Sequence, residues 1–161
     1  MIRKDLSVKQ LHFYSICSLI KVEKILYLCG KDMVQKNDLH HWDNSHIKNA
    51  IILILCALKN QIYLVYDGCV PVATYQVKIN GGKWISQKLA VLPEAFRQGI
   101  GSFCVEECER QAIDLGCRSV IYEVYDKNVR AIKFFQNNGY REVGRTQTLK
   151  YQEIVVEKVL Q

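Results

Sequence analysis

The segment from Leu89 to Ser102 constrains the fold more than any other part of the sequence. It begins with apolar residues typical of a strand, passes through a loop after Pro93, and ends in Gly-Ile-Gly-Ser at the start of a helical pattern. A strand that leads into a helix belongs to a fold in which helices pack against a sheet. The segment therefore predicts an α/β domain whose central helix begins near Ile100.

The two glycines of this loop suggest a ligand site. Gly99 and Gly101 remove side chains where the backbone can approach a ligand closely. The first turn of a helix has unpaired N–H groups and the positive end of the helix dipole, which together attract an anion. Arg97 adds a charged donor and Ser102 adds a hydroxyl, so the group is suited to a pyrophosphate. A tight strand–helix turn without a ligand explains the same glycines.

Two other phosphate-binding motifs do not fit the segment. A dinucleotide fingerprint requires a third glycine where Cys104 stands, and a P-loop requires Gly-Lys followed by Ser or Thr. The anion site also follows the third predicted strand, whereas the dinucleotide layout uses the first. The sequence thus argues against both classes of nucleotide-binding protein.

The first 60 residues have apolar side chains at helical spacing. We predict helical segments at Val8–Ile20 and Val22–Leu28, ended by Gly30, and a second helix from the N-cap Ser45 to Leu58. Phe13, Ile16, Cys17 and Ile20 share the first apolar stripe. The apolar run Ala50–Leu58 is too short to span a membrane, so we expect a buried helix segment.

From Gln61 onward the pattern changes to strands and helices in alternation. The predicted elements are three strands (Ile62–Tyr66, Val70–Ile79, Trp84–Leu92), a helix (Ile100–Leu115), a strand (Ser119–Val124), a helix (Asn128–Asn137) and two strands (Glu142–Thr146, Leu149–Val159). This order predicts one layered α/β domain over residues 1–161 with a mixed sheet. The helix between the third and fourth strands predicts that those two strands are parallel.

Charge and cysteine content narrow the class of protein. The net charge is +6, but no run of like charges is long enough for a nucleic-acid arm. The balance therefore suits a small anionic ligand better than a nucleic acid, which remains a weaker alternative. Seven scattered cysteines indicate free thiols in a reducing, cytoplasmic setting. Cys104 and Cys108 share a helix face either as half a metal site or as small core residues, and without a second pair we favour the core.

The stretch from Leu89 to Arg145 resembles the GNAT superfamily of N-acetyltransferases. Gly99-Ile100-Gly101 matches the second half of the family motif Gln/Arg-x-x-Gly-x-Gly/Ala, and Asn128–Tyr140 matches the later family signature. Phe96 stands where Gln or Arg is usual, with Arg97 and Gln98 beside it as alternative donors. The usual first strand before helix one is not evident in the sequence.

The resemblance implies a mostly antiparallel mixed sheet with helices on both faces and a splayed acyl-CoA cleft. Residues 1–60 would form the acceptor side, and residues 61–161 the acyl-CoA-binding core. The implied cosubstrate is acetyl-CoA, without a metal. The residues implied to bind it are the backbone of Leu89, Ala90 and Val91 for the pantetheine arm, Arg97, Gln98, Gly99, Ile100, Gly101 and Ser102 for the pyrophosphate, Asn128 for a further bond, and Phe134 and Phe135 near the thiol end.

Acetyl transfer to an amine needs a group to accept the ammonium proton, donors for the oxyanion and a proton for the leaving thiolate. The resemblance implies that Glu123 is the base, although a solvent-facing residue paired with a cation explains it equally. Val91 is the implied backbone donor to the oxyanion. Phe135 stands where many family members have a tyrosine acid, so Tyr140 is the remaining catalytic candidate, with core packing as its alternative.

The acceptor is expected to meet the loop His40–Asn44, where an aromatic and an acid suit a cationic amine. Trp42 and Asp43 are the candidates, although for Trp42 we favour packing in the core or in a lid over substrate contact. His40, His41 and His46 are expected to be surface loop residues and not metal ligands. The expected function is N-acetylation of a primary amine of a small molecule or peptide, in a cytoplasmic protein that contacts neither membrane nor nucleic acid and forms a homodimer. An acyl-CoA-binding sensor without turnover is the alternative, because of Phe96 and Phe135.

Overall fold

The computed structural model describes residues 5–161, and within them it contains seven strands and four α-helices. The strands are β1 (Leu6–Leu11), β2 (Gln61–Asp67), β3 (Val70–Asn80), β4 (Lys83–Val91), β5 (Ser119–Tyr125), β6 (Arg141–Gln147) and β7 (Gln152–Val159). The helices are α1 (Ile16–Asn37), α2 (His46–Ala57), α3 (Ile100–Asp114) and α4 (Val129–Asn137), with a 3-10 turn at Pro93–Ala95. Residues 1–4 of the predicted domain lie outside the described part.

The strands form one sheet in the order β1-β2-β3-β4-β5-β7-β6. The pairings of β1 with β2, β2 with β3, β5 with β7 and β6 with β7 are antiparallel. β4 and β5 are parallel, with Lys83–Ser86 opposite Ser119–Tyr122. The predicted α/β class, the mixed sheet and the parallel step across α3 are therefore confirmed.

Two compact units make up the chain, and each combines two separate stretches. The first consists of the described residues up to Val77 together with Lys88–Cys104. Helix α1 buries one face here, through Leu19, Val22, Ile25, Leu26 and Cys29. Strand β2 contributes a continuous buried run, Ile62–Val65, which gives this unit its core.

The second unit consists of Lys78–Gln87 and Val105–Gln161. Its largest fully buried side chains are Trp84, Tyr122 and Tyr140. The Tyr122 ring lies 4.3 Å from the ring of Phe135 and 5.2 Å from that of Tyr140, both at angles that suit aromatic pairs. This aromatic cluster packs α4 against β5.

The elements from Gln61 onward lie close to their predicted places, whereas the predicted helical region that ends at Gly30 is wrong at both ends. Residues Leu6–Leu11 form strand β1, which pairs with β2, and not the start of a helix. The family's first strand is therefore present although the sequence did not reveal it. Helix α1 also continues through Gly30, which does not end it. The backbone of Trp42 lies so close to Gly30 that a Cβ there would clash with the Trp42 carbonyl oxygen, which explains the glycine without a helix end.

The first apolar stripe of the N-terminal region faces outward, and so does much of the segment that was expected to be buried. Ile16 and Ile20 on α1 are 68% and 60% exposed, and Phe13 and Cys17 are exposed as well. On α2 only Asn49 and Leu53 are buried, so the expectation of a buried Ala50–Leu58 is wrong. The prediction of Ser45 as N-cap is confirmed, since its hydroxyl accepts a hydrogen bond from the Lys48 N–H. No helix among residues 5–161 is both long and apolar enough to cross a bilayer.

Strand β6 forms one edge of the sheet. All seven of its residues are exposed, and its register with β7 shifts between Glu142 and Gly144, which marks a bulge. Arg145 lies 3.1 Å from Glu142 along the same strand. The edge is thus polar, charged and irregular.

Candidate active site

The loop that leads into α3 has the backbone geometry of an anion site. Arg97 and Gly99 both adopt left-handed backbone angles, with φ values of 60° and 79°. Arg97, Gln98 and Gly99 are exposed, and the Gln98 side-chain amide donates to the Glu94 carbonyl at 2.9 Å. Alternating backbone handedness turns successive N–H groups toward one side, an arrangement that binds anions in many proteins.

The start of α3 adds to this character. Ile100 is buried and anchors the helix, while Gly101 and Ser102 are half-buried in its first turn. The first turn of α3 contains no acidic residue, so no carboxylate offsets the positive end of the helix dipole. The predicted pyrophosphate residues, Arg97 to Ser102, therefore form one continuous segment within the first unit.

Strand β4 changes its backbone conformation just before the predicted pantetheine segment. Lys88 has a φ of 51°, in the left-handed region that a residue with a side chain enters at a cost of about 1–2 kcal/mol. The parallel register of β4 with β5 consists of four residue pairs and has its last pair at Ser86. Leu89 and Val91 follow, both half-buried, and Ala90 between them is buried. The sequence pattern of a regular strand did not indicate Lys88, although strained residues of this kind cluster at functional sites.

The end of β4 is held on both sides of the Val91–Leu92 peptide. The Cys29 thiol donates to the Val91 carbonyl at 3.0 Å. The Leu92 N–H donates to the Val72 carbonyl at 2.8 Å. Sequence reasoning missed Cys29, because one cysteine within an apolar helix face carries no signal of its own.

Glu123 lies on β5 in the second unit and is half-buried. Its carboxylate accepts a hydrogen bond from the Gln87 side-chain amide at 2.9 Å. The β5–β7 register places Glu123 opposite Val155 and Tyr125 opposite Glu153, so Glu123 and Glu153 point to the same face of the sheet. Burial, and then the charge of Glu123, raise the pKa of Glu153. Glu123 is therefore partnered by a neutral amide and has a second carboxyl nearby, and among residues 5–161 no salt bridge joins it to a cation.

Asn128 caps helix α4. Its side-chain oxygen accepts a hydrogen bond from the Ala131 N–H at 3.1 Å, which leaves the side-chain NH2 group available as a donor. The structural role of the oxygen and the predicted cofactor role of Asn128 are therefore compatible, because they use different atoms.

Substitutions at Asn128 are expected to separate these two roles. Asn128→Asp keeps an oxygen to cap α4, so we expect little change in the unfolding midpoint in urea. Asn128→Ala removes the cap and should lower the free energy of unfolding by about 1 kcal/mol. If the NH2 group binds acetyl-CoA, both variants should bind it about threefold to tenfold more weakly by isothermal titration calorimetry. Wild-type affinity in Asn128→Asp would limit Asn128 to capping.

Phe134 and Phe135 lie in α4, with ring centroids 5.2 Å apart. Phe134 is half-buried and Phe135 is 5% exposed. The Tyr140 hydroxyl donates to Glu109 at 3.0 Å, and Lys158 lies 2.8 Å from the same carboxylate. Burial, and then the charge of Glu109, raise the pKa of Tyr140 well above its ordinary value. Tyr140 thus remains a protonated phenol whose hydrogen already bonds to Glu109, an arrangement that favours packing over proton transfer.

The predicted acceptor residues lie in the loop between α1 and α2. Trp42 is half-buried, and its ring lies 5.6 Å from that of His41. The Asp43 carboxylate lies 3.0 Å from the Lys31 ammonium and 3.6 Å from the His40 ring. These partners, led by the hydrogen bond from Lys31, lower the pKa of Asp43. Asp43 is therefore a stable anion at neutral pH.

Two of the three histidines that were expected in surface loops have carboxylate partners, and one of them, His46, begins helix α2 and does not lie in a loop. His40 bonds to Asp38 at 2.9 Å, and His46 bonds to Glu23 at 2.9 Å while stacking on Tyr27. Cys104 and Cys108 are fully buried, which confirms the core reading of that pair. Burial raises the pKa of the Cys108 thiol to about 11. Among residues 5–161 no three His, Cys, Asp or Glu side chains are grouped in a way that could hold a metal ion.

Comparison with solved structures shows the same fold in known acetyltransferases. A GCN5-related N-acetyltransferase from Rhodopseudomonas palustris aligns with a TM-score of 0.78 and 15% identity, covering 99% of each chain. The PaiA N-acetyltransferase of Thermoplasma acidophilum, solved in complex with coenzyme A, aligns with a TM-score of 0.74 and 15% identity over 96% of this chain and 99% of that one. An acetyltransferase of Thermus thermophilus gives 0.74 and 16% over 96% and 97%. These low identities concern the fold alone.

Sequence comparison identifies the family. A search of curated protein sequences finds no significant match. The sequence profile of the acetyltransferase (GNAT) family matches residues 26–140, which include the β4–α3 loop and all of α4. Because this match covers most of the chain, the protein belongs to the GNAT family of acetyltransferases.

Proposed function

We propose that this protein transfers the acetyl group of acetyl-CoA to a primary amine of a small molecule or peptide by direct attack on the thioester. The observation that carries the proposal is the exposed loop Arg97–Gly99, with left-handed backbone at both ends, leading into a helix without acidic residues in its first turn. This geometry supports binding of a pyrophosphate. The solved relative with bound coenzyme A supports the choice of cosubstrate.

In this proposal backbone groups and a few side chains of this chain bind the cosubstrate. The backbone N–H groups from Arg97 to Ser102 bind the pyrophosphate, and the Arg97 guanidinium adds charge. Leu89, Ala90 and Val91 bind the pantetheine arm through backbone groups beyond the left-handed Lys88. Asn128 donates through its side-chain NH2 group, and Phe134 and Phe135 pack near the thiol end.

In the chemical step this chain contributes one group that accepts a proton and one hydrogen bond that stabilises the oxyanion. Glu123 accepts the proton of the acceptor ammonium, directly or through water, and the free amine attacks the thioester carbon. The Val91 N–H donates to the oxyanion that forms. The C–S bond then breaks and the nitrogen gives its second proton to water, so that the products are the amide and a thiolate. Phe135 cannot protonate the thiolate, so we propose water as the proton donor. Tyr140 is the weaker candidate, because its hydroxyl already donates a hydrogen bond to Glu109.

The acceptor in this proposal is cationic before reaction. The Asp43 carboxylate attracts it, and Trp42 offers an aromatic surface beside that charge. The ion pairs of Asp43 with Lys31 and His40 hold the carboxylate ionised at neutral pH.

Release of free thiol from acetyl-CoA tests the proposal. Purified protein is assayed against diamines, amino acids and short peptides, and a blank without acceptor corrects for the seven free cysteines. We expect release that depends on an amine and a product heavier by one acetyl group in mass spectrometry. Failure of every amine, together with a melting temperature that acetyl-CoA does not change, would contradict the proposal.

A sensor that binds acyl-CoA without turnover is the second candidate. The buried Phe135, within the Tyr122 and Tyr140 cluster, favours it because no phenol replaces the family tyrosine at this position. The sensor predicts that acetyl-CoA raises the melting temperature while no acceptor releases thiol. Amine-dependent release would exclude it.

We also propose a cytoplasmic, single-domain protein that forms a homodimer through α2. The seven free cysteines support the location. The single domain is supported by the order of the units in the sequence. Their stretches alternate along the chain, so no single boundary in the sequence separates one unit from the other. The dimer is supported by five exposed aliphatic residues at helical spacing on α2 and just beyond it, Ile47, Ile51, Ile54, Leu55 and Leu58.

Light scattering should detect the change when the α2 stripe is made charged. Each of the five side chains is more than half exposed, so together they form a large apolar patch for a monomer. We expect Ile51→Glu to halve the mass measured by multi-angle light scattering. Ile113→Glu, at a similarly exposed isoleucine of α3, should leave the mass unchanged. A wild-type protein that is already monomeric at micromolar concentration would contradict the dimer.

A further inference from the structure

Three consecutive residues of α1 contact two different parts of the first unit. The Cys29 thiol bonds to the carbonyl of Val91 at the end of β4. Gly30 lies against the Trp42 carbonyl, and the Lys31 ammonium lies 3.0 Å from the Asp43 carboxylate. One turn of helix therefore joins the strand proposed to bind the pantetheine arm to the loop proposed to meet the acceptor.

The Cys29 thiol is buried and stays protonated, so that it can always donate its hydrogen bond. The side chain is 6% exposed, and burial raises the pKa of its thiol to about 12, so the S–H remains protonated at physiological pH. The neighbouring Leu92 N–H bonds to the Val72 carbonyl, so both polar groups of the Val91–Leu92 peptide are held. This peptide directly follows the N–H of Val91 that the proposed mechanism uses.

The Gly30 contact depends on the absence of a side chain. Gly30 lies inside α1, where a glycine otherwise weakens a helix relative to alanine. A Cβ at this position would overlap the Trp42 carbonyl oxygen. The backbone of α1 and that of the acceptor loop thus approach each other more closely than any other residue at position 30 allows.

We infer that the turn Cys29–Lys31 is a positioning element, which fixes the acyl-CoA strand through the Cys29 thiol and seats the acceptor loop through Gly30 and Lys31. The inference rests on the proposed function for the identity of the two ligands. No residue of this turn touches a reacting atom. Because the contacts come from consecutive residues of one helix, the turn holds the Val91 peptide and the Trp42–Asp43 loop in fixed positions relative to each other.

Three substitutions of Cys29 test the proposed role of its thiol in fixing the acyl-CoA strand. Acetyl-CoA affinity is measured by calorimetry. Cys29→Ser keeps a donor, and we expect affinity within about twofold of wild type. Cys29→Ala and Cys29→Val remove the donor and should weaken binding about threefold to tenfold. A role in packing alone predicts the opposite order, because a buried serine is less favourable than alanine or valine. Cys69→Ser, at an exposed cysteine in a turn, is the control.

Substitutions at Gly30 and Lys31 test the loop arm. Gly30→Ala should raise the KM for the acceptor severalfold while the Kd of acetyl-CoA stays within about twofold. Lys31→Gln removes the ion pair with Asp43 and the charge 5.6 Å from the centre of the Tyr27 ring. It should change KM in the same direction, and because the side chain is exposed it should keep the fold if Gly30→Ala does not. If the acceptor KM is unchanged in Lys31→Gln and in any Gly30→Ala protein that folds, the proposed role in seating the acceptor loop is wrong.

The result for the unmodified protein separates this inference from the proposed function. Absence of acetyl-CoA binding in the wild type would overturn both. Normal binding and turnover, with Cys29→Ser as impaired as Cys29→Ala, would overturn the positioning role and leave the proposed function intact. Serine rescue of affinity, with an effect of Gly30→Ala confined to the acceptor KM, is the result we expect.

Discussion

Glu123→Gln is expected to lower amine-dependent thiol release at least a hundredfold, the lower end of what a positioned general base contributes. Glutamine has nearly the same shape and retains an oxygen that can accept the hydrogen bond from Gln87, so the β4–β5 arrangement should persist. It cannot accept a proton from an ammonium group. The Kd of acetyl-CoA, measured by calorimetry, should therefore stay close to the wild-type value.

A second carboxylate gives a matched control for Glu123. If Glu123 accepts the ammonium proton, only the substitution at position 123 should slow release. Glu142→Gln is a matched control, because Glu142 is an exposed strand residue paired with Arg145. A rate that falls less than threefold in Glu123→Gln would assign Glu123 to strand packing.

Gly99→Trp is expected to abolish acetyl-CoA binding, with at least a hundredfold increase in Kd. Gly99 has a φ of 79°, which residues with side chains rarely adopt, and no other group lies within 4 Å of a Cβ placed there. The indole would therefore occupy the open space over the start of α3, where the pyrophosphate is proposed to bind. We expect acetyl-CoA no longer to raise the melting temperature of this variant.

A second glycine controls for backbone strain. Gly68, in the β2–β3 turn, has a φ of 58° and equally open surroundings. Gly68→Trp should therefore destabilise the fold to a similar degree, by about 1–2 kcal/mol, while acetyl-CoA binds normally. Equal loss of affinity in both variants would indicate a general effect of strain. Normal affinity in Gly99→Trp would place the pyrophosphate elsewhere.

The second half of the fold was predictable from sequence because its boundaries are set by local chemistry. Gly68, Gly81, Gly116 and Gly139 all have positive φ and mark the ends of strands or helices. The residues between them carry apolar patterns of the right length, so the bounds of β2 to β7 fall within a few residues of prediction. The same local logic located the Arg97–Ser102 loop and the start of α4.

The N-terminal elements depend on contacts that the sequence does not display. Leu6–Leu11 is a strand because it pairs with β2, more than 50 positions away in the sequence. Ile20 and Ile51 fit a helical pattern, but they do not show which side of each helix is buried. On α1 the buried side is another apolar face, and on α2 it contains Asn49 and Leu53. Periodicity indicates that a face exists and cannot choose between two.

The details of the candidate site divide in the same way. The glycines were predicted because their place before a helix suits phosphate binding, and Asn128 was predicted from the resemblance to the family signature. Lys88, Cys29 and Glu153 were missed, since their importance arises from a backbone angle, a bond across 62 positions and a cross-strand neighbour. Only a folded chain brings these together.

The exposed edge strand β6 bears on how this protein behaves at high concentration. An uncovered edge can add strands from other molecules and grow into aggregates. Here Arg141, Glu142 and Arg145 place charge along the edge, and the bulge between Glu142 and Gly144 interrupts its hydrogen-bonding pattern. Replacing these charged residues with neutral ones should therefore lower the solubility of the protein before it lowers any catalytic activity.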